Sequence, residues 1–267
     1  MTTHTRMPSM YLPHGGGPAF FMTGGMYDMF ADMKGFLAGV HESLPARPKA
    51  ILLVTAHWEA DVVSLTGSLR PELIYDYYGF PPETYTLQYA APASPELAAQ
   101  ASALLRRAGI ASKVDPAYGW DHGVFIPLKV MFPQADIPVV AMSLVAGLDP
   151  QDHAAIGRAL RPLRDEGVLI VGSGMSYHNL RDFRGGGGRT ASEMFDAWLD
   201  TALAGDEAHR STQLAQWTRA PAGRASHPRE EHLLPLMVAS GAGGDAPAHK
   251  LWSGDAGDTR VSAWSFA

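Results

Sequence analysis

The chain carries eleven histidines in 267 residues, and their sequence surroundings sort them into two groups. Imidazole is both a common metal ligand and a proton carrier near neutral pH, so its position decides what it can do. His14 precedes Gly15-Gly16-Gly17-Pro18, where glycines let the backbone fold back and leave one side of the ring open to a ligand. His57 directly follows the apolar run Ala50 to Ala56. A histidine at a buried strand's end needs partners for both ring nitrogens, because desolvating them unpaired is unfavourable. His178 follows the turn Gly172-Ser173-Gly174, and His122 stands in Trp120-Asp121-His122-Gly123, where the adjacent carboxylate could orient it. His227 and His232 flank Pro228-Arg229-Glu230-Glu231, and either one, or Glu231, could complete a set of three ligands. Taken singly, each also fits a hydrogen-bonded core histidine or an ordinary tight turn. His4, His41, His153, His209 and His249 lie near a terminus, in polar helical stretches or in loops, and are expected to face solvent.

Several chemistries lack their signatures. The chain contains no cysteine, so a disulfide framework, a thiolate ligand and a cysteine nucleophile are all excluded. A His-Glu-x-x-His zinc pattern is absent. Gly172-Ser173-Gly174 lacks the rest of either nucleotide fingerprint and is not the Gly-x-Ser-x-Gly elbow of a serine hydrolase. The net charge is -6 with acids and bases interspersed, which gives no basic stripe for nucleic acid. No secretory leader and no apolar run near the length of a membrane span appear, so a cytoplasmic location is expected.

The elements that must hold these residues read as alternating strands and helices. Met7 to Pro13 is a short apolar strand delivering His14, and Ala50 to Ala56 suits a strand buried on both faces. Val62 to Thr66, Ile137 to Leu144 and Val168 to Val171 read as further strands, with closing strands around Leu251 and over Val261 to Phe266. Helices are expected over Tyr27 to Leu44, Glu96 to Arg107 capped by Ser94, Val124 to Met131, Asp149 to Arg164, Thr190 to Ala204 and Glu207 to Trp217. A last helix, Pro228 to Ser240, would carry His232 in its first turns. Tyr75 to Pro95 is too rich in Pro and Tyr for a helix and reads as a long packed loop, and Gly185 to Gly188 as surface loop. The alternation predicts one α/β domain with a central, mostly parallel or mixed sheet flanked by helices. Ligands in such sheets bind beyond the carboxyl ends of strands, where His14, His57 and the turn to His178 fall.

Seven stretches occur together in a pattern that resembles the class III extradiol ring-cleavage dioxygenases, the LigB-like superfamily, and within it the 4,5-DOPA dioxygenase branch. They are Tyr11-Leu12-Pro13-His14-Gly15-Gly16-Gly17-Pro18, Thr55-Ala56-His57-Trp58-Glu59, Tyr75-Asp76-Tyr77-Tyr78-Gly79-Phe80-Pro81, Gly119-Trp120-Asp121-His122-Gly123, Ala135-Asp136-Ile137-Pro138-Val139-Val140, Gly172-Ser173-Gly174 through His178-Asn179-Leu180, and Glu231-His232-Leu233-Leu234-Pro235-Leu236. Their order matches the family's and they cover nearly the whole chain, 1–267, as a single catalytic domain.

The resemblance implies that His14, His57 and His232 are metal ligands, that His178 is the acid–base histidine and that His122 lies near the substrate. Glu231 is the alternative third ligand, and His227 has no counterpart. It implies an Fe(II) enzyme that opens a catechol ring with O2 to a muconic semialdehyde, acting as a monomer or homodimer without nucleic acid or membrane partners. Three imidazoles depart from the two-histidine, one-carboxylate triad usual for non-haem iron and also match a catalytic zinc set. A zinc hydrolase using the same histidines, or a non-enzymatic metal-binding interaction protein, therefore stand as alternatives.

Overall fold

Strand β1 (Ser9–Pro13) opens a chain whose buried runs all converge on one sheet. The computed structural model describes residues 5–267, and of residues 183–185 it describes the backbone alone. After β1 come α1 (Ala31–Gly39), β2 (Ala50–Ala60), β3 (Val63–Thr66), α2 (Pro95–Arg107), β4 (Ser112–Asp115), α3 (His122–Met131), β5 (Val139–Val145), α4 (Pro150–Leu160) and β6 (Val168–Gly174). Helices α5 (Leu180–Gly185), α6 (Arg189–Leu203), α7 (Glu207–Ala215), α8 (Gly223–Ser226) and α9 (Leu234–Gly243) follow, and the hairpin β7 (Ala248–Ala256) and β8 (Thr259–Phe266) closes the order.

The eight strands form one mixed sheet in the order β4-β3-β5-β2-β6-β1-β8-β7. Its centre, β5-β2-β6-β1, is parallel, and β8 and β3 flank it antiparallel. Side chains alternate across the pleat. Tyr11, Leu52, Val54 and Ile170 join the core beneath α2, α4 and α9. Met10, Leu12, Ile51, Leu53 and Val171 join the opposite core with α1 and α3. Burial on both faces is why the central strands are continuous apolar runs. The expected α/β architecture, one mixed sheet between helical layers, is what the chain adopts.

Several elements differ from expectation. The stretch Tyr27 to Leu44 is helical only over α1, with 3-10 turns at Gly25–Phe30 and Val40–Ser43. The helix expected to Arg164 tightens into a 3-10 turn after Leu160. Pro228 does not begin the last helix: turns run to Leu233, and Pro235 occupies the first turn of α9. His232 therefore stands in the loop before α9, not in a helix. Strand β4 was not anticipated, because Ser112-Lys113-Val114-Asp115 is a polar edge strand without an apolar pattern.

The long Tyr75 to Pro95 segment is a packed loop with one 3-10 turn at Pro82–Thr86. Tyrosine hydroxyls hold it: Tyr75 donates to the Leu87 carbonyl and Tyr77 to the Thr84 carbonyl, both at 2.7 Å. No helix among the described residues is long and apolar enough to cross a membrane.

Candidate metal centre

Three histidines from three distant parts of the chain meet at the carboxyl end of the parallel strands. His14 leaves β1 into a tight turn, where Gly15 adopts φ +77° and a Cβ on it would sit 2.7 Å from the Phe20 ring. His57 lies within β2, at a bulge: between the pairs Val54–Met142 and Glu59–Leu144, β2 has four residues where β5 has one. A bulge re-aims side chains at the rim of a sheet, and here it turns His57 into the site. His232 is held by its own backbone. Its carbonyl accepts from the Tyr11 hydroxyl at 2.7 Å and from the Met175 amide at 3.1 Å. Gly174 permits this approach, since a Cβ there would lie 2.2 Å from the same carbonyl oxygen.

The three rings form a near-equilateral triangle, with centroid separations of 4.9, 5.1 and 4.9 Å. One ring nitrogen of each lies within 4.8 Å of the others. The second nitrogen of each is engaged. His14 Nδ1 faces the Gly15 carbonyl at 3.0 Å, His232 Nδ1 faces Glu231 Oε1 at 3.0 Å, and His57 Nδ1 faces Asp76 Oδ2 at 3.5 Å. The Nε2 atoms of all three are buried and have no hydrogen-bond partner. Buried polar atoms are normally paired, so three convergent orphans are the signature of an electron-pair acceptor that is not part of the polypeptide. In His14 and His232, Nδ1–H donation to a carbonyl or carboxylate also fixes the tautomer that leaves Nε2 free to ligate.

The electrostatics agree. Burial, reinforced by the neighbouring imidazoles, holds His14 and His232 well below the ordinary histidine value. Burial and the proximity of His122 push His57 down to about 3, against a smaller opposing effect of Asp76. All three rings are neutral at physiological pH, as metal ligation requires. The donor set fits a single divalent transition ion bound through nitrogen on one side.

His122 and His178 flank the triangle. The His122 ring lies 4.0 Å from His57, and Asp76 Oδ1 accepts from both its Nδ1 (2.8 Å) and its backbone amide (2.9 Å). His178 stacks on His232 at 3.4 Å, with its Nδ1 3.5 Å from Glu231 Oε1. All five histidines line one cavity of about 310 Å³.

The family model for the catalytic LigB subunit of aromatic ring-opening dioxygenase matches residues 2–261. The chain belongs to the LigB family. Two plant relatives named 4,5-DOPA dioxygenase extradiol are similar to it. That of Portulaca grandiflora is 41% identical over 87% of this chain and 89% of its own, and that of Beta vulgaris is 40% identical over 88% and 91%. A bacterial relative of the same name, from Escherichia coli K12, is 35% identical over 89% of this chain and 86% of its own. The crystal structure of an uncharacterized Escherichia coli K12 protein superposes with a TM-score of 0.79 at 30% identity, covering 98% of this chain and all of that one. Of the activities left open by sequence, membership of LigB assigns extradiol ring cleavage: the protein is a metal-dependent ring-cleavage dioxygenase that takes a small molecule and O2.

Within this LigB chain, one carboxylate escaped sequence reasoning about the site's supports. Asp76 sits in the Tyr-rich loop, far from any histidine in sequence, yet its two oxygens face His122 and His57. Burial alone would raise the Asp76 carboxyl, but the bond and charge of His122 hold it below its ordinary value. Asp121, the sequence neighbour expected to orient His122, instead accepts from Thr55 (2.7 Å) and Tyr118 (3.1 Å). Glu231 lies behind His232 as its hydrogen-bond partner.

The other histidines divide differently from expectation. His41, His209 and His249 are exposed, and His4 lies outside the described residues. His153, expected at the surface, is fully buried: its Nδ1 meets the Asp149 carbonyl at 2.7 Å and its Nε2 accepts from the Val145 amide at 3.1 Å. Its place in the first turn of α4 lets it tie the helix start to the end of β5. His227 is buried between Phe195 and Trp217, with Nε2 3.0 Å from the Ser176 carbonyl, and takes no part in the cavity.

Proposed function

We propose that this chain, as one catalytic domain over residues 1–267, is an Fe(II)-dependent extradiol dioxygenase that converts a catechol to a muconic semialdehyde. His14, His57 and His232 hold the ion. The observation that carries this reading is the convergence of three neutral, buried and unpartnered Nε2 atoms on the floor of a cavity sized for one aromatic ring. Divalent iron bound there would draw both catechol oxygens, lower their pKa and give O2 a site beside the ring, so that both reactants share one centre. The ring bond beside, not between, the hydroxylated carbons breaks, and both atoms of O2 enter the product.

The protein's own groups supply position and protons. His178 lies over His232 at the cavity wall and is the group to take a proton from the catechol and return it as the ring opens. His122, fixed through Nδ1 by Asp76, presents its ring to the cavity as a hydrogen-bonding group for substrate. Asp76 and Glu231 hold ring orientation from behind, which preserves the ligating tautomers. Apolar walls exclude water and strengthen these polar contacts.

The all-imidazole set would also bind zinc. Zinc-loaded protein is expected to bind catechols without consuming O2. The test is anaerobic reconstitution with Fe(II), then a catechol panel followed for O2 uptake and a yellow semialdehyde, comparing wild type with His57→Ala and His178→Ala. Turnover by wild type, lost with the metal in His57→Ala and lost with metal retained in His178→Ala, is the expected result. Stoichiometric iron without O2 uptake on any catechol would overturn it.

A further inference from the structure

The walls of the cavity say which catechol suits it. At about 310 Å³ it is near the small end of ligand pockets, which span about 300–1,000 Å³. It has room for one ring and a short substituent. Above the five imidazoles, the side chains that close it are Met26, Tyr27, Met29, Phe30, Phe80 and Leu180. No Asp, Glu, Lys or Arg occurs among the described residues that line it.

Charged side chains adjacent in sequence are turned to other tasks. Asp28, between Tyr27 and Met29, accepts from the Gly24 amide at 2.9 Å. Asp182 accepts from the Tyr177 hydroxyl. Arg229, three residues before His232, pairs with Glu59 at 2.6 Å and with Glu231 at 3.6 Å. Arg181, next to Leu180, is exposed and does not line the cavity.

An amino-acid catechol would carry a carboxylate and an ammonium into this space. Neither finds an Asp, Glu, Lys or Arg partner among the described lining residues, so the water that each sheds on entering goes uncompensated there, which disfavours binding. An alkyl substituent would gain from leaving water, and the three-torsion side chains of Met26 and Met29 can mould to its shape. Resting on the catechol dioxygenase reading above, we infer that the preferred substrate is a catechol bearing a short, uncharged, apolar substituent rather than an amino-acid catechol such as DOPA. Met26, Met29, Phe30 and Phe80 determine that specificity.

The test uses the iron-loaded full chain with catechol, 4-methylcatechol, 4-propylcatechol and DOPA. Both kcat/KM from O2 uptake and anaerobic calorimetric affinity are read. The expected gain is on the order of fourfold to tenfold per added methylene. DOPA should fall at least about a hundredfold below 4-propylcatechol in kcat/KM, with the same ranking in affinity.

Met26→Arg places a cation at the cavity mouth, at a residue already 59% exposed, so the fold should tolerate it. It should raise kcat/KM for 3-(3,4-dihydroxyphenyl)propionate about tenfold relative to 4-propylcatechol. DOPA matching or exceeding 4-propylcatechol would overturn this inference while leaving the dioxygenase intact. Absence of turnover and of anaerobic binding with all four catechols would overturn the dioxygenase reading and this inference with it.

Discussion

Two of the regions that bury histidine treat its nitrogens in opposite ways. At the junction of β5 and α4, His153 has both ring nitrogens engaged by backbone groups, and it ties a strand end to a helix start. At the carboxyl edge of the sheet, His14, His57 and His232 each engage one nitrogen and leave the other buried and bare. Burial is common to both. An unpaired nitrogen alone does not make a ligand, since buried His227 also leaves its Nδ1 bare; what marks the ligands is the convergence of several such atoms on one point.

The contrast is sharpest where a group acts without ligating. His178→Ala should keep the metal and lower kcat by about 10²–10⁴-fold, the usual range for a lost general acid–base; metal analysis alongside O2 uptake checks both halves. A loss of metal together with activity would move His178 into the ligand set.

Asp76→Asn tests the outer layer of the same region. It removes the carboxylate that fixes His57 and His122, and metal affinity should fall by about 10–100-fold, read by chelator competition. Unchanged affinity would show that the two rings hold their orientation without it.

His153→Leu probes the structural side of the comparison. It leaves the Val145 amide without its acceptor, while the Asp149 carbonyl keeps the backbone amide of residue 153, and should destabilise the fold by about 1–3 kcal/mol in denaturant unfolding, with metal stoichiometry unchanged. A change in metal content would blur the division between the two regions.

The last effect is confined to acid and is read as a pH slope. Burial holds His227 down at about 3, opposed by its bond to the Ser176 carbonyl, against 6.5 for the free group. The unfolded chain therefore takes up this proton first, so His227 leaves stability intact above about 6.5 and erodes it as pH falls from there toward about 3. His227→Gln should make that fall shallower by up to about 1.4 kcal/mol per pH unit. An identical slope in the variant would assign the acid sensitivity to other groups.

Much of the framework was legible in sequence, for identifiable reasons. Ala50 to Ala56 and Val168 to Val171 are continuous apolar runs because both faces of the central strands are covered. His14 stood out because three glycines and a proline follow it. Other parts depend on distances that sequence does not carry. Asp76 gives no spacing signal, since a loop brings it to His122 across 46 residues. His57 lies inside β2 rather than at its end because a bulge, not a strand terminus, turns it. Pro228 among acids imitates a helix start, while Pro235 occupies the first turn of α9 within an apolar run that hides the boundary. His153 reads as exposed because its helix is polar around it, and only the turn that brings the start of α4 back to the end of β5 shows its ring to be enclosed.

The most direct test of the central claim is an anaerobic calorimetric titration of metal-free protein with Fe(II), run on wild type and on His14→Ala, His57→Ala and His232→Ala separately. Three ligands around one ion predict a single site per chain in wild type and a loss of at least about a hundredfold in affinity in each variant. Retention of wild-type affinity by any one variant would remove that histidine from the set and contradict the three-histidine centre.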